Sequence, residues 1–124
     1  MRQLLFPVVI TWLAMLVAPS WADAAAAEAQ FKKSCGTCHV ADADAGPRQG
    51  PNLFGVVGRK AGSLSGFSYS PAFVAGDSGL VWDEGTLDRW ISDPQSVIPG
   101  AVMPYKQADP DKRKLVIEYL KTRH

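Results

Sequence analysis

Residues 34–40 read SCGTCHV, and this stretch decides how the chain is interpreted. Cys35 and Cys38 are three residues apart, and His39 follows the second cysteine directly. Two thiols at this spacing on a helix point the same way, so they can add to the two vinyl groups of a haem. The next residue then places its imidazole under the ring as a ligand of the iron. The motif therefore predicts covalent attachment of one haem c through two thioether bonds.

Three other uses of the cysteine pair compete with a haem. A thioredoxin-like dithiol belongs in a βαβ unit, and no segment of this chain has the alternating pattern of a strand. A structural disulfide is compatible with an exported protein. A zinc site usually needs four ligands, and beyond the motif the chain offers only one more histidine, His124. A histidine directly after the second cysteine has no role in any of these alternatives, which favours the haem.

The chain begins with the features of a secretory signal peptide over residues 1–22. Arg2 precedes an apolar run that is short for a membrane span, and small residues follow it. We expect export by the Sec route and cleavage after Ala22 or Ala24, which leaves a single domain over residues 23–124. An uncleaved anchor is the alternative. Covalent haem attachment in bacteria takes place outside the cytoplasmic membrane, so the predicted location is the periplasm.

The charge of the exported domain excludes one class of partner. The whole chain has 13 basic and 12 acidic residues, and removal of the signal peptide takes away only Arg2 among them. The remaining domain has a formal charge of zero. Nucleic-acid binding requires a basic surface, which this composition does not favour.

The rest of the sequence predicts helices separated by long loops. Residues 40–66 contain six glycines and two prolines, with no sustained period of a helix or a strand. A long loop in a small domain is expected to wrap around something. The fold class is therefore all-α, a small domain of three to four helices with long loops around one haem. The predicted helices cover 24–36, a short segment that begins with Pro71 after Ser70, a segment that begins after the N-cap Asp83 and ends at or before Asp93, and a segment that begins with Pro110 after the N-cap Asp109.

Met103 is the candidate for the second axial ligand of the iron. The other two methionines lie in the predicted signal peptide, whereas Met103 lies in a loop bracketed by Pro99 and Pro104. Ligation by a histidine and a methionine raises the reduction potential of a haem. The alternatives are His124, a lysine, or an open sixth position.

The sequence resembles the small class I c-type cytochromes, most closely the cytochrome c2 and mitochondrial cytochrome c branch. The resemblance runs from about residue 24 to residue 121, with its motifs in the family's order. These are FKKSCGTCH, GPNLFGVVGRKAG, GFSYS, the tryptophan at 82, LDRWISDP, IPGAVMPY and LVIEYLK.

The resemblance implies a role for each matching residue. Cys35 and Cys38 would hold the haem, and His39 and Met103 would bind its iron. The carbonyl of Pro51 would accept a hydrogen bond from the ring N–H of His39 and so orient the imidazole.

The resemblance also implies the lining of the haem pocket. Arg59, Tyr69 and Trp82 would surround a buried haem propionate, Leu53 would line the pocket, and Trp90 would stand near Met103. The first and last helices would cross where Ala27 and Phe31 meet Val116 and Tyr119.

Some positions depart from the family's pattern. Trp90 stands where the family often has a tyrosine, and an indole cannot offer a hydroxyl to the methionine sulfur. Lysines that surround the haem edge in the mitochondrial branch are mostly missing, because the chain has Gln95, Ser96 and Val102 around the loop of Met103. Such an apolar edge is expected to dock partners through small, weak contacts.

The predicted function is that of a soluble, monomeric one-electron carrier of the periplasm, not an enzyme. The donor would be a quinol-oxidising complex or a periplasmic dehydrogenase, and the acceptor a terminal oxidase or a reaction centre. Two alternatives are a haem subunit dedicated to one dehydrogenase complex, and a haem sensor or weak peroxidase in which Met103 leaves the iron.

Overall fold

The computed structural model describes residues 20–124, so the predicted signal peptide lies outside the described residues except for its last three. The described part is helical, and its only β pairing is an isolated bridge between Lys60 and Val81. The predicted all-α class is confirmed, and residues 20–124 contain five helices where three to four were expected. They are α1 (Trp21–Ser34), α2 (Pro71–Gly76), α3 (Glu84–Ser92), α4 (Pro94–Val97) and α5 (Pro110–Lys121).

The predicted N-caps Asp83 and Asp109 are present, and Ser70 caps the short helix that was predicted to follow it. The side chains of Ser70, Asp83 and Asp109 each accept a hydrogen bond from a backbone N–H in the first turn that follows. These bonds satisfy donors that have no partner inside the helix, which is why each helix begins where it does.

Helix α1 begins earlier than residue 24, where the sequence pattern placed its start. Ser20 and Asp23 form a reciprocal capping box, in which each side chain bonds the other residue's backbone N–H. This pair starts the helix at Trp21. The two predicted cleavage positions, after Ala22 and Ala24, therefore lie within the first turn of the helix.

Helix α4 is absent from the sequence prediction, which has a loop after Pro94. Asp93 ends α3, as expected, but it is also the N-cap of α4, and its carboxylate accepts a hydrogen bond of 3.2 Å from the N–H of Gln95. Proline cannot continue a helix, yet its fixed φ suits the first position of a new one. The Asp93–Pro94 pair therefore stops α3 and starts a single turn.

Helices α1 and α5 cross and form the main packing contact between helices. The rings of Phe31 and Tyr119 lie 4.7 Å apart between centroids, and Val116 is 1% exposed beside them. The contact expected from the resemblance is thus present. Ile117 of α5 is also buried, since α5 packs against α3 as well as α1.

Residues 40–66 form irregular loop, as predicted. The buried side chain of Asn52 holds this loop from within, because its amide donates to the carbonyls of Asp42 and Ala45, at 2.7 and 2.8 Å. Its side-chain oxygen accepts from the N–H of Phe54 at 2.9 Å. Within residues 20–124, no helix has the length and apolar character that a membrane span requires.

Replacing Phe31 with alanine is expected to destabilise the haem-containing protein by about 3–5 kcal/mol, because it empties a buried site against Tyr119. The free energy of unfolding in guanidinium chloride would measure this loss. Lys33, an exposed residue of the same helix, supplies the control, and its replacement by alanine should change that free energy by less than about 0.5 kcal/mol. Equal effects of the two substitutions would contradict the assigned packing.

Candidate haem-binding site

The two cysteines lie in a turn directly after α1 and not on the helix, where the sequence pattern placed them. Cys35 is the C-cap of the helix, which ends at Ser34. The N–H groups of Cys38 and His39 both donate to the carbonyl of Cys35, at 3.0 and 2.9 Å. The motif is therefore a single compact turn attached to the end of α1, and the crossing with α5 fixes its position.

Both cysteines are free, half-buried thiols. Burial, and next the neighbouring Cys38, raise the pKa of the Cys35 thiol to about 12, so this thiol is protonated at neutral pH. The Cys38 thiol donates to the side-chain oxygen of Gln49 at 3.1 Å. These two thiols would be the groups that hold a haem, each through a thioether bond.

The imidazole of His39 is oriented by a backbone carbonyl. Its Nδ1 lies 2.8 Å from the carbonyl oxygen of Pro51, the contact implied by the resemblance. A carbonyl can only accept, so Nδ1 carries the hydrogen and Nε2 keeps its lone pair. Burial lowers the pKa of His39 more than the bond to Pro51 raises it, which favours the neutral ring. Nε2 is therefore available as a metal ligand.

Gly50 allows the imidazole to lie against the backbone. A Cβ atom at this position would stand 2.1 Å from Cε1 of His39, so any side chain would displace the ring or the loop. The N–H of Gly50 also donates to the carbonyl of Cys38 at 2.8 Å, which ties the loop to the motif.

These groups fit a covalently held haem. Two neighbouring thiols and an oriented, neutral imidazole are the donors that such attachment needs. In residues 20–124, no three histidine, cysteine or acidic side chains are grouped so that they could hold a metal ion.

The three residues expected around a haem propionate, Arg59, Tyr69 and Trp82, lie near one another. The N–H of Trp82 donates to the carbonyl of Arg59 at 2.9 Å, which places the two residues side by side. The guanidinium of Arg59 donates to the carbonyls of Asn52 and Phe54, at 3.1 and 3.0 Å. Burial lowers the pKa of Arg59, while the nearby Tyr69 opposes this shift.

Phe73 belongs to this region but was missed in the sequence. Its ring stacks on Tyr69 at 4.9 Å and meets the edge of Trp90 at 5.9 Å. Trp82 and Trp90 in turn lie 5.3 Å apart. The available signal was the short helix after Pro71, which carries Phe73 toward the two tryptophans. Leu53 is half-buried and packs against the same core.

Met103 lies in the loop between α4 and α5, where it is half-buried. The preceding residue, Val102, is 78% exposed, so this edge of the molecule presents an apolar side chain as expected. His124, an alternative ligand, is exposed after the end of α5, with its Nδ1 3.0 Å from the carbonyl of Lys121.

Three relatives found by comparison with known proteins are all named as c-type cytochromes. It is 41% identical to cytochrome c-550 of Novispirillum itersonii, over 79% of this chain and 96% of that protein. It is 48% identical to cytochrome c2 iso-2 of Magnetospirillum molischianum, over 71% and 89% of the two chains. It is 41% identical to cytochrome c2 of Rhodopseudomonas palustris, over 81% and 97%.

No family model matches the chain, so the assignment depends on these relatives and on the geometry of the site. The relatives match nearly along their whole length, and the helical fold agrees with them. The chain therefore belongs to the class I c-type cytochromes of the cytochrome c2 branch, small electron carriers, not enzymes, that hold one covalent haem c.

Proposed function

We propose that this electron carrier works in the periplasm, with His39 and Met103 bound to its haem iron from opposite sides. The observation that carries the proposal is the hydrogen bond from Nδ1 of His39 to the carbonyl of Pro51. It leaves Nε2 as the only ring nitrogen that can bind iron, and it fixes the plane of the ring. The bound haem supplies the one-electron couple of its iron.

Met103 is proposed as the second ligand because it is the only methionine of the exported domain and stands in a loop between two prolines. The Met103 thioether is half-buried on a loop, so it does not fill space in the core as a buried methionine usually does. Its pairing with His39 would raise the reduction potential compared with two nitrogen ligands.

Arg59 is proposed to pair with a haem propionate, together with Tyr69 and Trp82. A partly buried guanidinium is costly without an anion. Its partners here are neutral carbonyls, and none of the ion pairs within residues 20–124 includes Arg59. A propionate would supply the missing negative charge. Pro51, Leu53 and Trp90 complete the proposed pocket.

The proposed partners are redox proteins that dock transiently. A donor would be a quinol-oxidising complex or a periplasmic dehydrogenase, and an acceptor a terminal oxidase or a reaction centre. The exposed Val102 stands where the resemblance implies a lysine, which favours small, weakly charged contacts with partners. The rates of association with these partners should then depend little on salt. The signal peptide predicted from the sequence, with cleavage after Ala22 or Ala24, is the basis for the proposed periplasmic location.

Absorption spectra of the protein from cells that mature c-type cytochromes test this proposal. We expect a c-type spectrum in alkaline pyridine and a far-red sulfur-to-iron band in the oxidised protein. Absence of the far-red band, with carbon monoxide binding at neutral pH, would support a sensor or weak peroxidase instead. Stable copurification with one dehydrogenase would support a dedicated subunit.

Replacing Met103 with alanine should abolish the far-red band and lower the reduction potential, because the thioether no longer stabilises ferrous iron. Potentiometric titration of the purified protein would measure the change. The neighbouring exposed residue supplies the control, and Val102→Ala should keep both the band and the potential. An unchanged potential in the Met103 variant would remove this residue as a ligand.

Replacing Cys38 with alanine should leave at most one thioether bond, so that less haem stays with the chain after denaturation and acid extraction. The pyridine spectrum should shift toward that of a haem with one intact vinyl group. Gln49→Ala, which removes only the hydrogen bond to the Cys38 thiol, is the matched control and should retain both bonds. A normal covalent haem yield in the Cys38 variant would contradict the attachment.

Replacing Gly50 with alanine should destabilise the protein by about 1–3 kcal/mol, because the added methyl group overlaps the ring of His39. Chemical denaturation of the haem-containing form would measure this. Gly46 belongs to the same loop, but no atom lies within 4 Å of the position that its Cβ would occupy, so Gly46→Ala should have little effect. Similar stabilities for the two variants would argue against the described position of the ring.

A further inference from the structure

The loop that carries Met103 begins with a tight turn over residues 98–101. The N–H of Ala101 donates to the carbonyl of Ile98 at 3.0 Å, and Pro99 and Gly100 occupy the two central positions. Gly100 has φ of +85°, which is the conformation that a type II turn requires at its third residue. Ile98 itself is completely buried, so the turn is anchored at its start.

The side chain of Gln95 binds this turn at two adjacent points. Its Oε1 accepts a hydrogen bond of 2.8 Å from the N–H of Gly100. Its Nε2 donates to the carbonyl of Ala101. One amide group thus satisfies a donor and an acceptor on consecutive residues, and the second of these is separated from Met103 only by Val102.

Gln95 can act as a fixed support because α4 is itself held in place. Asp93, the N-cap of α4, accepts from the N–H of Gln95 and forms an ion pair of 2.8 Å with Lys106, on the other side of Met103. The hydroxyl of Ser96 donates to the carbonyl of Asp93 at 2.7 Å. The one-turn helix is therefore connected to α3 and to both ends of the loop.

Few backbone bonds restrain the loop beyond this point. In the part of the chain that the structure describes, the next backbone N–H bond to another backbone group after that of Ala101 is made by Gln107, which donates to the carbonyl of Ile91 at 2.9 Å. The stretch between them contains Met103 and also Pro104, which has no N–H to donate. In the described residues, the bonds from the Gln95 side chain to Gly100 and Ala101 are thus among the last hydrogen bonds to the backbone before Met103.

We infer that Gln95 is a positioning residue for Met103, which keeps its sulfur on the iron by holding the turn at residues 98–101. The inference rests on the proposed ligation by Met103. An added ligand such as imidazole can bind the iron only in the fraction of molecules whose loop has opened. Loss of the two Gln95 bonds should increase that fraction.

The test uses imidazole binding to the oxidised, haem-containing protein, followed through loss of the far-red band. Gln95→Met keeps the length and much of the volume of the side chain but makes neither bond. It should raise the apparent imidazole affinity about five- to twentyfold, as expected from the loss of two modest hydrogen bonds. Gln95→Glu keeps the acceptor for Gly100 but sets a carboxylate oxygen, which cannot donate, against the carbonyl of Ala101, so its imidazole affinity should also exceed that of the natural protein.

A second readout does not involve added ligand. The amide hydrogen of Gly100 should exchange faster with solvent in Gln95→Met than in the natural protein, measured by nuclear magnetic resonance of the reduced form. Gln30→Ala is the control, because it removes a glutamine whose Nε2 bonds Ser34 on α1, away from the loop. It should leave both the imidazole affinity and the exchange of Gly100 unchanged.

The outcomes separate this inference from the proposed ligation. If the natural protein lacks the far-red band, Met103 is not the ligand and both proposals fall. If the band is present but the imidazole affinity of Gln95→Met stays within about twofold of the natural value, the positioning role of Gln95 alone is overturned.

Discussion

The hydrogen bond between Nδ1 of His39 and the carbonyl of Pro51 is the constraint on which the rest of the site depends. It selects the tautomer of the imidazole and the direction of Nε2. Its geometry requires a glycine at position 50, since the ring lies where a side chain would otherwise be. The buried Asn52 then holds the loop that carries Pro51, and Arg59 donates to the Asn52 carbonyl. The proposed iron ligand His39 and the proposed propionate partner Arg59 are thus parts of one connected loop.

The helices position the turn that contains Cys35 and Cys38 next to this loop. Helix α1 ends at Ser34, and its crossing with α5 through Phe31 and Tyr119 fixes where that end lies. Much of the chain over residues 20–124 is irregular, so helix packing alone supplies a modest core there. The covalent haem of this family is the additional element around which such loops are organised.

Residues 95–102, which precede Met103, have no charged side chain and form hydrogen bonds within the chain. Positions where the mitochondrial branch has lysines carry Gln95, Ser96 and Val102. In the structure, Gln95 and Ser96 direct their polar groups to the chain itself, whereas Val102 faces solvent. Of these three residues, only Gln95 bonds the loop that precedes Met103, through the N–H of Gly100 and the carbonyl of Ala101.

The sequence alone was sufficient for the haem motif, the helix class and the helix starts at Pro71, Glu84 and Pro110, because these depend on local spacing and on capping by the preceding residue. It missed helix α4, because a proline that ends one helix can also begin the next. A new turn forms here because the Asp93 carboxylate accepts a hydrogen bond from the N–H of Gln95. It also placed the cysteines on a helix that in fact ends before them. The tertiary structure decided the contacts that join distant segments: Phe73 among the tryptophans, Ile117 in the core, and the amide of Gln95 on the turn before Met103. These contacts depend on how α2, α4 and the loops pack, and no periodicity in the sequence records that packing.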